Sequence, residues 1–185
     1  SNRMNKYTVG RATLGLAKYL ADKFPEGASV AIAYDTRNNS AEFSLAAARI
    51  LAANGIHVYR YKYCVPVPVL SFTTRHLKCS AGIMITASHN PKEYNGYKVY
   101  DETGCQICTE AAAELLSYIN KEEYSSVAPF LSAADNGKIT EIGDEMLCEY
   151  YKAVSEQSLY TESSDIKIVY TPLHGTGNIP VREML

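Results

Sequence analysis

No stretch of this sequence approaches the ~20 consecutive apolar residues that a membrane-spanning helix needs, and no apolar signal core follows the basic residues near the N-terminus. No membrane partner is expected, and a cytoplasmic location is the default expectation. Lys/Arg-rich runs are also missing. With 21% charged residues and a net charge of −2, a nucleic-acid surface would have to be built from scattered charges, and no nucleic-acid partner is expected. The 15 tyrosines form no recognisable stacking platform for bases. Cysteine is sparse: Cys64, Cys79, Cys105, Cys108 and Cys148 are odd in number and irregular in spacing, which excludes a complete secreted disulfide framework. Cys105-Gln-Ile-Cys108 has CxxC spacing, but a second ligand pair is missing, so both read as packed free thiols. There is no internal repeat or low-complexity tract.

What is present describes a globular α/β chain. Its 46% hydrophobic content and 185 residues suit one domain, or one domain and the beginning of another. A start at Ser1 and a stop inside the helix-like "GNIPVREML" read as a piece of a longer protein. Val9, Ala12, Leu16, Ala17 and Leu20 recur at helical spacing from Tyr7 to Lys23, before Pro25. "SVAIAYD" then reads as a strand, and Ser40 as the N-cap of a helix that Gly55 stops. "IHVYRY", "VPVLSFTTRHL" and "AGIMITA" continue as strand, helix and strand, which predicts a three-layer αβα domain with a mixed, mostly parallel sheet. "YKVYD" follows a strand across only a loop, so it is expected to pair antiparallel. Helices are expected from Thr109 through Lys121 and from Gly143 to Gln157. After the polar "SLYTESSD", "IKIVYTPLHGTG" reads as a fresh strand and glycine-rich turn. A domain boundary is placed near Thr161, with residues 1–161 as one domain and 162–185 as the truncated start of a second.

The chemistry concentrates in "IMITASHNPKEYNGYKVYD", Ile83 to Asp101. In an open α/β sheet, ligands bind beyond the carboxyl ends of the strands, where Ser88 falls. A hairpin centred on Glu93 would bring Lys98 back opposite Ser88, with its side chain on the face opposite Tyr97 and Val99. A hydroxyl flanked by an imidazole and an ammonium suits phosphoryl transfer. Acyl transfer fits less well, because there is no Gly-x-Ser-x-Gly elbow and no evident carboxylate to orient His89. The same Ser, His, Asn and Pro are also common loop residues that hydrogen-bond their own turn, and composition alone leaves a structural role as open as a catalytic one. Arg37 reads as a salt-bridge partner of Asp35 in preference to a catalytic group. Gly175 and Gly177 beside His174 read as turn formers, since no Walker Lys-Ser/Thr follows.

"TASHNP" followed by "YNGYKVY" resembles the active-site serine loop of the α-D-phosphohexomutases, which include phosphoglucomutases and phosphomannomutases. "AYDTRNNS" and "YTPLHGTG" are similar to two further segments of that family, so the resemblance runs over nearly the whole chain. "NRMNKYTVGRATLGLAKYL" looks most like the phosphoglucomutase and phosphopentomutase branch.

The resemblance implies a sugar phosphomutase that interconverts hexose 1-phosphate and hexose 6-phosphate, with glucose as the expected sugar. Ser88 would carry a phosphoryl group, Lys98 would act as general acid/base, and His89 and Asn90 would contact the sugar phosphate. It also implies glucose 1,6-bisphosphate as intermediate or activator, and a Mg²⁺ that takes only a Ser88 phosphate oxygen from this chain. The family's early arginine, metal domain and phosphate-binding domain have no counterpart here, so the 185 residues alone are expected to be inactive. A mannose- or pentose-specific mutase, a non-catalytic sugar-phosphate-binding module and a serine hydrolase are the alternatives.

Overall fold

The computed structural model describes residues 4–132, 136–159 and 165–185. Helix α1 (Lys6–Lys23) begins at a capping box: Asn5 Oδ1 accepts from the Tyr7 and Thr8 amides, while Thr8 Oγ1 accepts from the Asn5 amide. It ends before Pro25, as its sequence predicts. Next come β1 (Ser29–Tyr34), α2 (Ser40–Ala53), β2 (His57–Tyr61), α3 (Val67–His76), β3 (Ala81–Ile85) and β4 (Tyr97–Asp101). Helix α4 (Thr109–Lys121), a 3₁₀ turn (Tyr124–Ser126), the short α5 (Ala128–Leu131), β5 (Ile139–Ile142), α6 (Asp144–Ser155) and α7 (Asn178–Met184) complete the described elements.

The sheet has the order β4-β3-β1-β2-β5, parallel except for the antiparallel β3–β4 pair. Strands β1 and β3 are buried along almost their whole length because helices cover both faces. On one face, Val9, Leu16 and Leu20 of α1 and Phe43, Ala47 and Leu51 of α2 pack on Val30, Ile32, Ile83 and Ile85. On the other, Val69 and Leu70 of α3 and Leu147 of α6 pack on Ala31, Ala33, Met84 and Tyr100. This is the three-layer αβα architecture that the alternating pattern predicts.

Several local expectations change. Ser40 is the first residue of α2 and not its cap. Asn39 precedes it in the left-handed conformation, φ 63°, and the Ser40 hydroxyl turns away to Asp35. Strand β5 is not expected from "ITEI", which has two exposed positions. It is recruited by β2, where Arg60 Nη1 donates to Glu141 Oε1 across a register pair at 3.1 Å. Conversely, residues 166–170 join none of the five described strands and lie exposed. The boundary placed near Thr161 lies outside the described residues.

The cysteines also differ from expectation. Cys105 and Cys108 are exposed, not packed, because their segment runs antiparallel along the edge strand β4, with Gln106 bridging Tyr100 and the Ile107 amide donating to the Val99 carbonyl. Three extended residues span about 10 Å between Cα atoms, beyond the ~7 Å limit for a disulfide, so this CxxC does not close on itself. Burial pushes the Cys79 thiol up to about 11 and also raises Cys64. Native alkylation near pH 8 is therefore expected to label Cys105, Cys108 and Cys148 first and Cys64 slowly, with Cys79 reacting only after unfolding. Peptide mass spectrometry against time checks that order.

Helices α1 and α4 meet at Gly15, where an added Cβ would lie 2.6 Å from Ile119 Cα. Alanine adds helix propensity worth ~1 kcal/mol, but a contact with backbone forces the helices apart at a cost of ~1–3 kcal/mol. Gly15→Ala is expected to lower the urea midpoint, with a net loss of about 1 kcal/mol. A raised midpoint would show that propensity wins.

Candidate functional site

The chain leaves β1 through α2 to reach β2 on one side of it, then returns through α3 to place β3 on the other. The loops at the carboxyl ends of β1 and β3 therefore diverge from neighbouring strands, the switch point at which open α/β sheets form a crevice. A cleft of about 1370 Å³ opens there, and Arg37, Cys64, Met84, Ser88, His89 and His174 are among its lining residues.

Its floor is organised by Asp35, directly after β1. Asp35 Oδ1 accepts from the Arg37 amide at 3.0 Å and from Ser40 Oγ at 2.9 Å. Its Oδ2 accepts from Arg37 Nε at 3.0 Å and from Thr86 Oγ1 at 2.5 Å. The carboxylate is 13% exposed and the guanidinium 8%, so this is an ion pair largely withdrawn from water, with hydrogen bonds on both oxygens. Arg37 reaches onward into the next loop. Its Nη1 donates to the carbonyls of Pro91 (2.7 Å) and Tyr94 (3.2 Å), and its Nη2 donates to the Ser88 carbonyl. The salt-bridge reading of Arg37 holds, and the side chain also clamps the serine loop.

Within that loop Ser88 adopts φ 58°, an uncommon conformation for a residue with a Cβ. Its amide donates to Thr86 Oγ1 at 2.9 Å, while its own Oγ is exposed and lies 3.4 Å from His89 Nδ1. Asn90 turns its amide nitrogen back to the Ala87 carbonyl at 2.9 Å, which leaves its Oδ1 without a partner among the described residues. Asn95 braces the far side: Nδ2 donates to Ser40 Oγ at 2.8 Å and Oδ1 accepts from the Gly96 amide at 2.9 Å. Gly96 needs to be glycine, since a Cβ there would sit 2.5 Å from the Thr86 carbonyl.

Lys98 is not opposite Ser88. The β3–β4 ladder pairs Met84 with Lys98 and closes with the Thr86 amide donating to the Gly96 carbonyl, so the serine projects beyond the paired region. Opposed residues in a sheet share a face, and Lys98 therefore lies beside Met84, on the face opposite Tyr97 and Val99, as alternation predicts. Met84 lines the cleft. Ser88, His89 and Asn90 line the cleft together, whereas Lys98 is not among its lining residues.

His174 also lines the cleft, and its carbonyl accepts from Thr36 Oγ1 at 2.7 Å. The sequence reading missed Thr86, Ser40 and Asn95 as supports. A hydroxyl at the end of an apolar strand is a weak signal until its carboxylate partner is known. Among the described residues, no group of three His, Cys, Asp or Glu is placed to hold a metal ion, and the Asp35 oxygens are already occupied.

A family model described as phosphoglucomutase/phosphomannomutase, alpha/beta/alpha domain I, matches residues 1–126. A phosphoglucomutase of Staphylococcus epidermidis is 42% identical over 181 residues, covering 97% of this chain and 33% of that protein. A phosphoglucomutase of Staphylococcus saprophyticus is 42% identical over 186 residues, covering 99% of this chain and 34% of that protein. Among solved structures, a Thermus thermophilus protein described as a phosphomannomutase is similar with a TM-score of 0.70 at 29% identity, covering 84% of this chain and 33% of that one. The chain thus spans about a third of the length of the curated relatives it matches. A doubly wound sheet, a serine loop at its switch point and a family match over residues 1–126 agree: the chain belongs to the phosphoglucomutase/phosphomannomutase family and carries its alpha/beta/alpha domain I.

Proposed function

We propose that this chain supplies the phosphoryl-carrying serine of a sugar phosphomutase acting on hexose phosphates, with glucose 1-phosphate and glucose 6-phosphate as the pair interconverted. Ser88 carries the reading: an exposed hydroxyl at the cleft mouth, on a loop whose backbone is tied down on both sides of the residue. The curated relatives at 42% identity are named phosphoglucomutases, which supports glucose as the sugar.

In the proposed cycle, phosphorylated Ser88 gives its phosphoryl group to the free hydroxyl of a bound sugar phosphate. The sugar hydroxyl loses its proton, a P–O bond forms to its oxygen, and the bond from phosphorus to Ser88 Oγ breaks, leaving Oγ to take up a proton. The resulting sugar bisphosphate, glucose 1,6-bisphosphate for a glucose substrate, then returns its other phosphoryl group to Oγ by the same exchange in reverse.

Lys98, on the same sheet face as the cleft-lining Met84, is the proposed proton carrier. His89, adjacent to Oγ, and Asn90, with its open Oδ1, are proposed to contact the substrate. Phosphorylation adds about −1.5 to −2 charges at pH 7, and Lys92 in the cleft lining offsets part of that charge, whereas the charge of Arg37 is already paired with Asp35. Mg²⁺ suits a phosphorylated serine chemically, but the described residues offer it Ser88 alone, and its other ligands have to come from elsewhere. Residues 162–185 are read as the opening of a second domain.

Phosphopeptide mapping of the full-length protein, before and after exposure to glucose 1-phosphate with Mg²⁺, tests this reading. Phosphate on Ser88 that exchanges with labelled substrate is expected, and a serine that never takes phosphate, even from a sugar bisphosphate, would sink it. Ser88→Ala is expected to lower kcat more than ~1000-fold, and Lys98→Met by ~10²–10⁴-fold. Residues 1–185 alone are expected to show no hexose phosphate interconversion, measured in a coupled assay.

A further inference from the structure

Ser88 is held through its backbone, and the groups that hold it have little free capacity to bind substrate. Thr86 Oγ1 has one proton, which it gives to Asp35 Oδ2, and it accepts the Ser88 amide at 2.9 Å. Arg37 has five N–H donors, and four contacts use them: Asp35 Oδ2 and the carbonyls of Pro91, Tyr94 and Ser88. At most one N–H remains, so the guanidinium in this state is a poor candidate for a bidentate phosphate ligand.

From these contacts we propose that Thr86 and Arg37 are positioning residues, which pin the amide and the carbonyl of Ser88 to the single carboxylate of Asp35 and so hold the serine in its left-handed conformation for phosphoryl transfer. The proposal rests on the phosphoserine reading above. The two bonds act on the two peptide groups flanking the Ser88 Cα, which fixes both its φ and its ψ. Each anchor ends on Asp35, whose position is set by β1. Thr86 is 4% exposed and packs where β3 ends, so the anchor moves with the sheet and not with solvent.

Two chemical distinctions separate positioning from substrate contact. Valine at position 86 keeps the shape but loses the hydroxyl, whereas serine keeps the hydroxyl. Lysine at position 37 keeps the charge but loses the fork that spans four acceptors.

In the full-length enzyme, Thr86→Val is expected to lower kcat about 10- to 100-fold with KM for glucose 1-phosphate nearly unchanged, and Thr86→Ser to restore most of it. Arg37→Lys is expected to lose as much kcat as Arg37→Ala. Hydrogen exchange at the Ser88 amide gives a readout independent of turnover. It should be protected in the wild-type protein and in Thr86→Ser, and about tenfold faster or more in Thr86→Val.

An unprotected Ser88 amide in the wild-type protein would overturn the proposal whether or not the protein is a mutase. So would a Thr86→Val enzyme with normal kcat, or an Arg37→Lys enzyme that works while Arg37→Ala does not. If the amide behaves as expected but Ser88 never takes phosphate, the anchoring stands, and both its role in phosphoryl transfer and the mutase reading fail.

Discussion

Asp35 carries a negative charge into a region where its side chain is only 13% exposed, and the loops around it are arranged so that this charge is never left unpaired. A buried carboxylate without donors is costly, and removing one partner of such a group typically costs ~3–5 kcal/mol. Four donors meet it here: the Arg37 amide and guanidinium, Ser40 Oγ and Thr86 Oγ1. They come from the loop after β1, the start of α2 and the end of β3. One carboxylate thus joins three segments at the point where the sheet's winding direction reverses. The electrostatic requirement of a single side chain converts a topological gap into a site of defined shape.

The serine loop inherits its order from that junction. A left-handed residue with a side chain stores of the order of 1–3 kcal/mol and persists only where its surroundings determine it more than once. At Ser88 they do so through the amide, through the carbonyl and through Gly96, which lets β4 approach the Thr86 carbonyl closely. The backbone is restrained while the hydroxyl stays exposed. That division suits a group that must receive and release a bulky anion without moving its own chain, because the entropy of orientation is lost on folding and not at each turnover.

The fold was legible in the sequence wherever one physical signal dominated. The apolar runs of β1 and β3 state that both faces are covered, Pro25 follows the helix before β1, and Gly55 stops the helix after it. The serine loop could be located because an abrupt change from "IMIT" to "SHNP" at a strand end marks a crevice in this class of fold. Other features had no local signal. The sequence "ITEI" becomes β5 because β2 presents an open edge and Arg60 pairs with Glu141, whereas the more strand-like "IKIVY" joins none of the described strands. Cys105 and Cys108 read as packed because no second ligand pair accompanies them, and they are exposed, since their segment follows the outermost strand.

By itself, the sequence determined the alternation of strands and helices, the antiparallel return of "YKVYD" and the presence of Ser88, His89 and Asn90 on one loop. These depend on residues near one another in the chain, through periodicity, turn chemistry and apolar run length. The tertiary structure alone decided that Lys98 pairs with Met84 and not with Ser88, that Ser40 serves Asp35 and not its own helix end, and that Thr86 joins the serine to the carboxylate. The first depends on where a strand ladder stops, the second on how the loop after β1 turns the start of α2 back onto Asp35, and the third on a partner 51 residues away, and none of these is encoded in the linear pattern.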